Sequence, residues 1–332
     1  MNGPEARLGY VVIGRNEGER LARCLASLAG ARGRIVYVDS GSTDASIAVA
    51  RAAGADIVSL APDRPYTAAR ARNEGIERLG ARLPEAEFVM FVDGDSELAE
   101  DWPRQAARFL SERTDVAAVA GRVRERHPEA SVYNRLCDIE WEGPVGESLA
   151  CGGIALMRVS AVKEAGGFNA RLGGGEEPEL CVRLRERGWK IWRLDADMAR
   201  HDAAMTAFGQ WFARMKRGGR AFAEVSSLHR RSPARIWARE TRRALLWTAI
   251  LPAGLLAGLF IHPAGLALLA AYPAQVARLA TVGRGALPPG ARGHAWTYAF
   301  FITLAKFAEA AGVLDYTLSR GRARRSRYGV VD

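Results

Sequence analysis

The sequence contains no CxxC pair. Its four cysteines, Cys24, Cys137, Cys151 and Cys181, follow no metal-type spacing, which excludes a zinc ribbon or a thioredoxin-like motif. They read as reduced thiols packed as small apolar groups in a cytosolic domain. A secretory leader is not expected either: Glu5, Arg7, Arg15, Glu17 and Glu19 leave no apolar h-region in the first twenty residues. Nor is apolar content scarce enough, or charge extreme enough, for a disordered or collagen-like chain, with 48% hydrophobic and 25% charged residues. The most telling absence lies late in the chain. From Ala244 to Ala277, 34 residues pass without Asp, Glu, Lys or Arg.

The charge that is present is unevenly distributed. The formal net charge of +10 divides into −4 over residues 1–212 (28 basic, 32 acidic) and +14 over residues 213–332 (19 basic, 5 acidic). A mildly acidic domain therefore precedes a basic tail, so a nucleic-acid or anionic-membrane partner concerns the tail alone. The uncharged stretch would be about 51 Å long as one helix, against a hydrocarbon core of about 30 Å. His262-Pro263 interrupts it, so a hairpin is expected, with Ala244–Ile261 crossing and Ala264–Ala280 returning. Arg230, Arg231, Arg235, Arg239, Arg242 and Arg243 precede it and Arg278, Arg284 and Arg292 follow, while the turn has no Lys or Arg. Positive-inside asymmetry places both flanks, and the N-terminal domain, in the cytoplasm. Residues 295–332, with Lys306 and Glu309 one turn apart and a closing arginine cluster, read as an interfacial helix and basic tail. A nucleic-acid binder would carry its charge on a groove-fitting surface. Here the charge brackets a membrane-like segment, which argues against nucleic acid. The expected organisation is a domain over 1–205, a basic amphipathic helical linker over 206–243, a transmembrane hairpin over 244–280 and the interfacial segment.

Along residues 8–200, short apolar runs alternate with helical patterns. Strands are expected at Leu8–Ile13, Arg34–Val38, Asp56–Leu60, Glu87–Val92 and Val116–Val123. Between them helices are expected near 17–30, 43–53, 66–80 and 100–113. Runs such as Tyr10-Val11-Val12-Ile13 and Phe88-Val89-Met90-Phe91-Val92 are continuously apolar, as in strands covered on both faces. The fold class is α/β, a doubly wound and mostly parallel sheet. Ligands in such sheets bind beyond the carboxyl ends of the strands. There stand Asp39-Ser40-Gly41-Ser42-Thr43-Asp44, which also suits a capped turn, and Asp93-Gly94-Asp95, whose two carboxylates can converge on Mg²⁺ or Mn²⁺. Glu176, Glu177 and Glu179 open a helix, where they either favour its dipole or supply a general base. His201 follows the next expected strand, Trp189–Leu194, as a candidate metal ligand or a structural histidine.

The ordered series Val11–Glu17, Val38–Asp44, Val92–Asp95, Gly166-Gly167-Phe168 and Gly175–Leu180 resembles the family-2 glycosyltransferases of GT-A fold, over about residues 8–202. That resemblance implies a nucleotide-sugar donor, with a UDP-sugar favoured. Asn16 and Glu17 would grip the nucleotide and Asp39 would read its base. Asp93 and Asp95 would hold ribose and metal-bound diphosphate. Arg72, on the helix bordering the donor, is a diphosphate candidate, Gly152-Gly153 would flank the donor sugar, and His201 would be a further metal ligand. Glu177 matches the family's presumed base, although Glu replaces the usual Asp, and Glu176 is the alternative. Gln210-Trp211-Phe212-Ala213-Arg214 departs from the family's Gln-x-x-Arg-Trp motif, which argues against a processive synthase. The expectation is an inverting, divalent-metal-dependent enzyme at the inner membrane, using a membrane-associated, lipid-linked saccharide acceptor in envelope or exopolysaccharide synthesis. A polyprenyl-phosphate glycosyltransferase is the rival, and a non-catalytic membrane scaffold is the alternative from another class.

Overall fold

The apolar runs become strands of one mixed sheet. The structure, a computed structural model, describes residues 7–327, divided between Ala204 and Met205 into two units. In chain order the strands are β1 (Leu8–Gly14), β2 (Ile35–Asp39), β3 (Asp56–Ser59), β4 (Phe88–Asp93), β5 (Ser96–Leu98), β6 (Val116–Glu125), β7 (Gly146–Ser148), β8 (Ala155–Arg158) and β9 (Lys190–His201). The helices of this unit are α1 (Glu19–Ser27), α2 (Ser46–Ala52), α3 (Ala68–Arg82), α4 (Trp102–Glu112), α5 (Val132–Glu140), α6 (Val159–Glu164) and α7 (Glu176–Glu186).

The sheet order is β3-β2-β1-β4-β8-β6-β9-β5, with β7 paired to β9. The first four strands are parallel, and β1, β2 and β4 bury nearly every side chain. Beyond β4 the directions mix: β8 runs antiparallel to both β4 and β6. The short strands β5, β7 and β8 escape a periodicity reading because three or four residues carry almost no alternation. The registers Gly14↔Asp39 and Ile13↔Asp93 bring both acidic strand ends to one edge. Thr67 caps α3 by accepting from the Arg70 N–H at 3.2 Å. Gly75 lets α3 lie close against β1, since a Cβ there would stand 2.3 Å from Val11 Cγ1. This close approach seats the helix carrying Arg72 directly on the sheet.

The second unit is helical: α8 (Phe208–Leu228), α9 (Ala238–Phe260), α10 (Ala271–Val282) and α11 (Ala295–Arg327), with a 3₁₀ segment at Pro263–Ala270. The expected turn falls at His262, whose Nδ1 accepts the Ala264 N–H at 3.2 Å. Among the described residues, three segments are long and apolar enough to cross a membrane: Ala238–Phe260, Pro263–Gly285 and Gly290–Arg320. Leu246, Leu259 and Phe260 on α9 are exposed, as side chains facing lipid would be. The stretch read as a basic amphipathic helical linker contributes α8, which packs on α11. The stretch read as interfacial is one long helix whose Lys306 and Glu309 pair at 2.7 Å. Internal pairing is what makes such charges tolerable in an apolar helix. Arg322, Arg324 and Arg325 belong to α11, while the chain beyond Arg327 lies outside the described residues.

Candidate active site

At the carboxyl edge of the sheet, β2 ends in Asp39, which is 1% exposed. Its Oδ2 accepts the N–H groups of Gly41 and Ser42 at 2.9 Å, and the Tyr37 hydroxyl donates to Oδ1 at 3.2 Å. The carboxylate thus organises its own turn. Asn16, in left-handed backbone at φ 56°, joins this turn to the end of β1, its Oδ1 accepting from the Thr43 N–H at 2.7 Å. Gly18 N–H donates to Asp44 Oδ2 at 3.0 Å. The two strand-end loops therefore form one hydrogen-bonded rim.

Below it, Asp95 Oδ2 faces His201 Nε2 at 3.3 Å. The antiparallel register Ser96↔His201 enforces this meeting. Trp141 packs on the imidazole with ring centroids 4.7 Å apart, and His201 Nδ1 is buried without a hydrogen-bond partner among the described residues. Burial, and then the negative charge of Asp93, push the Asp95 carboxyl above its ordinary pKa, although His201 opposes the shift. Burial and Asp95 raise Glu17 likewise, while Arg20 pairs with it at 2.7 Å. Carboxylates that resist ionisation beside an imidazole form the donor set that a divalent cation completes, so these residues fit a bound Mn²⁺ or Mg²⁺.

Arg72, 3% exposed, spans the floor of the cleft. Its Nη2 donates to Asp93 Oδ1 at 2.9 Å and to the Gly153 carbonyl at 3.3 Å, and its Nη1 donates to Glu176 Oε1 at 2.5 Å. Phe168 lies beneath the guanidinium at 5.7 Å. A Cβ at residue 153 would stand 2.9 Å from Arg72 Nη2 and 3.0 Å from Asp93 Oδ2, and Gly152 has φ +85°, so the glycine pair is a requirement of the site. Gly175, left-handed at φ 76°, starts α7 so that Glu176 turns to Arg72. Glu177 points elsewhere: it is 4% exposed, and its Oε1 accepts the Cys151 N–H at 2.7 Å. Asn16, Glu17, Asp39, Arg72, Asp93, Asp95, Gly152, Gly153, Glu176 and His201 thus all border one strand-end region of the first unit. Phe168, from the Gly166-Gly167-Phe168 motif, joins them, as do Trp141 and Arg20, which had no sequence signal because tertiary packing sets their proximity.

Residues 10–166 match Glycosyl transferase family 2. The chain carries a family-2 glycosyltransferase domain. Among its relatives is the pre-mycofactocin glycosyltransferase of Mycobacterium tuberculosis, 29% identical over 245 residues, covering 69% of this chain and 49% of that protein. Another is the succinoglycan biosynthesis protein ExoA of Rhizobium meliloti, 28% identical over 51% of this chain and 54% of that one. The chain thus spans about half the length of the curated relatives it matches. Among solved structures, the mannosyltransferase PcManGT of Pyrobaculum calidifontis, in complex with GDP-Man and Mn²⁺, superposes with TM-score 0.59 at 18% identity, over 93% of this chain and 87% of that one. TarS residues 1–349 of S. aureus with UDP-GlcNAc give TM-score 0.51 at 15% identity, over 95% and 92%. The fold of the family-2 domain is GT-A.

The raised carboxyls of this domain have a consequence for stability. The folded state holds protons on Asp95 and Glu17 at a pH where the unfolded chain releases them, so the contribution of these two groups falls as pH rises through the window above the ordinary carboxylate range. Without divalent metal, Asp95→Asn is expected to melt above the wild type at pH 7, and the gap should close as pH falls towards about 4. Paired melting curves in chelator across that range check this. A variant less stable than wild type at pH 7 would contradict it.

Proposed function

We propose that this chain is an inverting, divalent-metal-dependent glycosyltransferase that moves one sugar from a nucleotide-sugar donor to a hydroxyl of a membrane-associated, lipid-linked saccharide. The observation that carries this reading is the convergence of Asp93, Asp95 and His201 at one strand-end region, with Arg72 linking Asp93 to Glu176. A cation held by Asp95, His201 and Asp93 would neutralise charge developing on the leaving nucleoside diphosphate. Arg72 anchors the floor and holds Glu176 in place, and Gly152-Gly153 leave room for the donor sugar. Glu176 takes the proton of the incoming hydroxyl, and attack from the face opposite the diphosphate inverts the anomeric centre. We assign the base to Glu176 and not Glu177, because Glu177 is buried and already accepts the Cys151 N–H.

The three apolar segments and their arginine-rich flanks support attachment at the inner membrane with the family-2 domain in the cytoplasm. Uridine donors are the first choice. Because the solved structures named above are complexes with UDP-GlcNAc and GDP-Man, guanosine donors belong in the same screen.

The test is transfer from labelled nucleotide sugars to lipid extracts by the purified full chain, comparing Glu176→Gln with Glu177→Gln. Loss of a general base costs about 10²–10⁴-fold. That loss is expected for Glu176→Gln, with a smaller one for Glu177→Gln. The opposite order would return the base to Glu177. Full activity in both would favour a polyprenyl-phosphate acceptor, which is already ionised and needs no base.

A further inference from the structure

Behind the glycine pair, three metal-ligating side chains of the family-2 domain stand outside the transfer chemistry. Cys151 Sγ and Cys181 Sγ are 3.7 Å apart, and Glu177 Oε1 lies 3.0 Å from the first and 2.9 Å from the second. All three residues are buried. Glu177 and Cys181 are four apart on α7 and so share a helix face, while Cys151 arrives from the loop between β7 and β8. The Cys151 N–H holds the same Oε1 at 2.7 Å, an orienting bond of the kind that steadies metal ligands.

Two thiolates at about 2.3 Å from a tetrahedral zinc ion stand about 3.8 Å apart, close to the separation here. A disulfide would need the sulfurs at about 2.05 Å, well inside it. A sulfur and a carboxylate oxygen on the same ion stand about 3.5 Å apart, so Glu177 would retreat by about half an ångström. The ligand set of two sulfurs and one oxygen suits a soft or borderline cation, in contrast to the oxygen-rich set at Asp93 and Asp95.

We propose that Cys151, Cys181 and Glu177 form a second metal site, which binds one zinc-type divalent cation through two thiolates and a carboxylate oxygen. On binding, both S–H bonds break, two sulfur–metal bonds form and two protons pass to solvent, with no oxidant or reductant involved. The cation ties the loop that leads into Gly152-Gly153 to the start of α7, which carries Glu176. The site thus braces two sides of the cleft without touching the reacting atoms.

Cobalt(II) titration of the reduced, full-length wild-type protein tests this directly, because only a thiolate ligand produces a sulfur-to-cobalt charge-transfer band in the near ultraviolet. The expected result is a band that saturates at one equivalent, is displaced by Zn²⁺, persists in Asp95→Asn and is lost in Cys151→Ser and in Cys181→Ser. Zn²⁺ should also raise the melting temperature of the wild type but not of the doubly substituted chain. Absence of the band in the wild type, with its thiols shown to be free, would overturn the proposal whether or not the serine variants fold. So would a band that survives both serine substitutions, one that disappears in Asp95→Asn, or recovery of the cysteines as a disulfide under reducing conditions.

Discussion

Asp95→Asn is expected to lower sugar transfer by at least about a hundredfold while the purified chain keeps its fold. The carboxylate sits at the end of a buried strand, 3.3 Å from His201, in a pocket shared with Asp93 and Glu17. Its burial disfavours ionisation, a cost that a bound cation would offset. Replacement by the isosteric amide removes a charged ligand without opening a cavity, so packing survives while diphosphate stabilisation is lost. Losing one preorganised stabilising group typically costs about 10²–10³ in rate, and loss of the metal itself costs more. Added Mn²⁺ should recover little of the activity. The check is the initial rate of transfer at saturating donor, alongside the melting temperature in chelator. A variant that retained more than about a tenth of wild-type activity would remove Asp95 from the metal set.

The second large effect lies in the helical unit and turns on two adjacent glycines. Gly219 is where α8 meets α11: a Cβ there would stand 2.0 Å from the Glu309 carbonyl oxygen, and its three nearest neighbours would all be backbone atoms of Glu309. Gly312 makes the reciprocal approach, 2.0 Å from the Lys216 carbonyl oxygen. Small residues of this kind let membrane helices approach closely. Gly218, one position earlier, would meet nothing within 4 Å. Gly218→Ala is therefore expected to stabilise the unit by up to about 1 kcal/mol through helix propensity. Gly219→Ala forces two backbones apart and should cost about 3 kcal/mol or more, at the upper end of overpacking penalties. Thermal unfolding in detergent distinguishes them by opposite signs. Equal shifts of one sign would mean that the helices do not cross at Gly219.

Much of the family-2 domain was legible because its first half is parallel and doubly covered. The runs at Val11–Ile13, Val36–Val38 and Val89–Val92 are apolar on both faces, and the acids that follow them mark the functional edge. The same local signal placed α8 and the turn at His262. Legibility ended where placement depends on pairing between distant strands. His201 meets Asp95 because β9 runs to residue 201 and pairs with β5, whereas the short apolar run at Trp189–Leu194 suggested a strand that stopped earlier. Trp141 reaches His201 only through tertiary folding of the loop after α5. The choice between Glu176 and Glu177 lay beyond any sequence pattern. Successive helical residues point about 100° apart, and the phase of α7 is set by the left-handed Gly175 at its entry. The cysteines were similarly opaque: read singly, each is a small buried hydrophobe, yet two of the four lie against the same carboxylate.

The central claim, that the rim of Asn16 and Asp39 and the acids Asp93 and Asp95 form a metal-dependent nucleotide-sugar site, is tested most directly by calorimetric titration. UDP and GDP would be titrated into the purified full chain, with and without Mn²⁺. Saturable binding of one nucleotide class is expected with Mn²⁺, lost on chelation and lost again in Asp95→Asn. Absence of binding by either nucleotide in the presence of metal, or equal binding by wild type and Asp95→Asn, would contradict it.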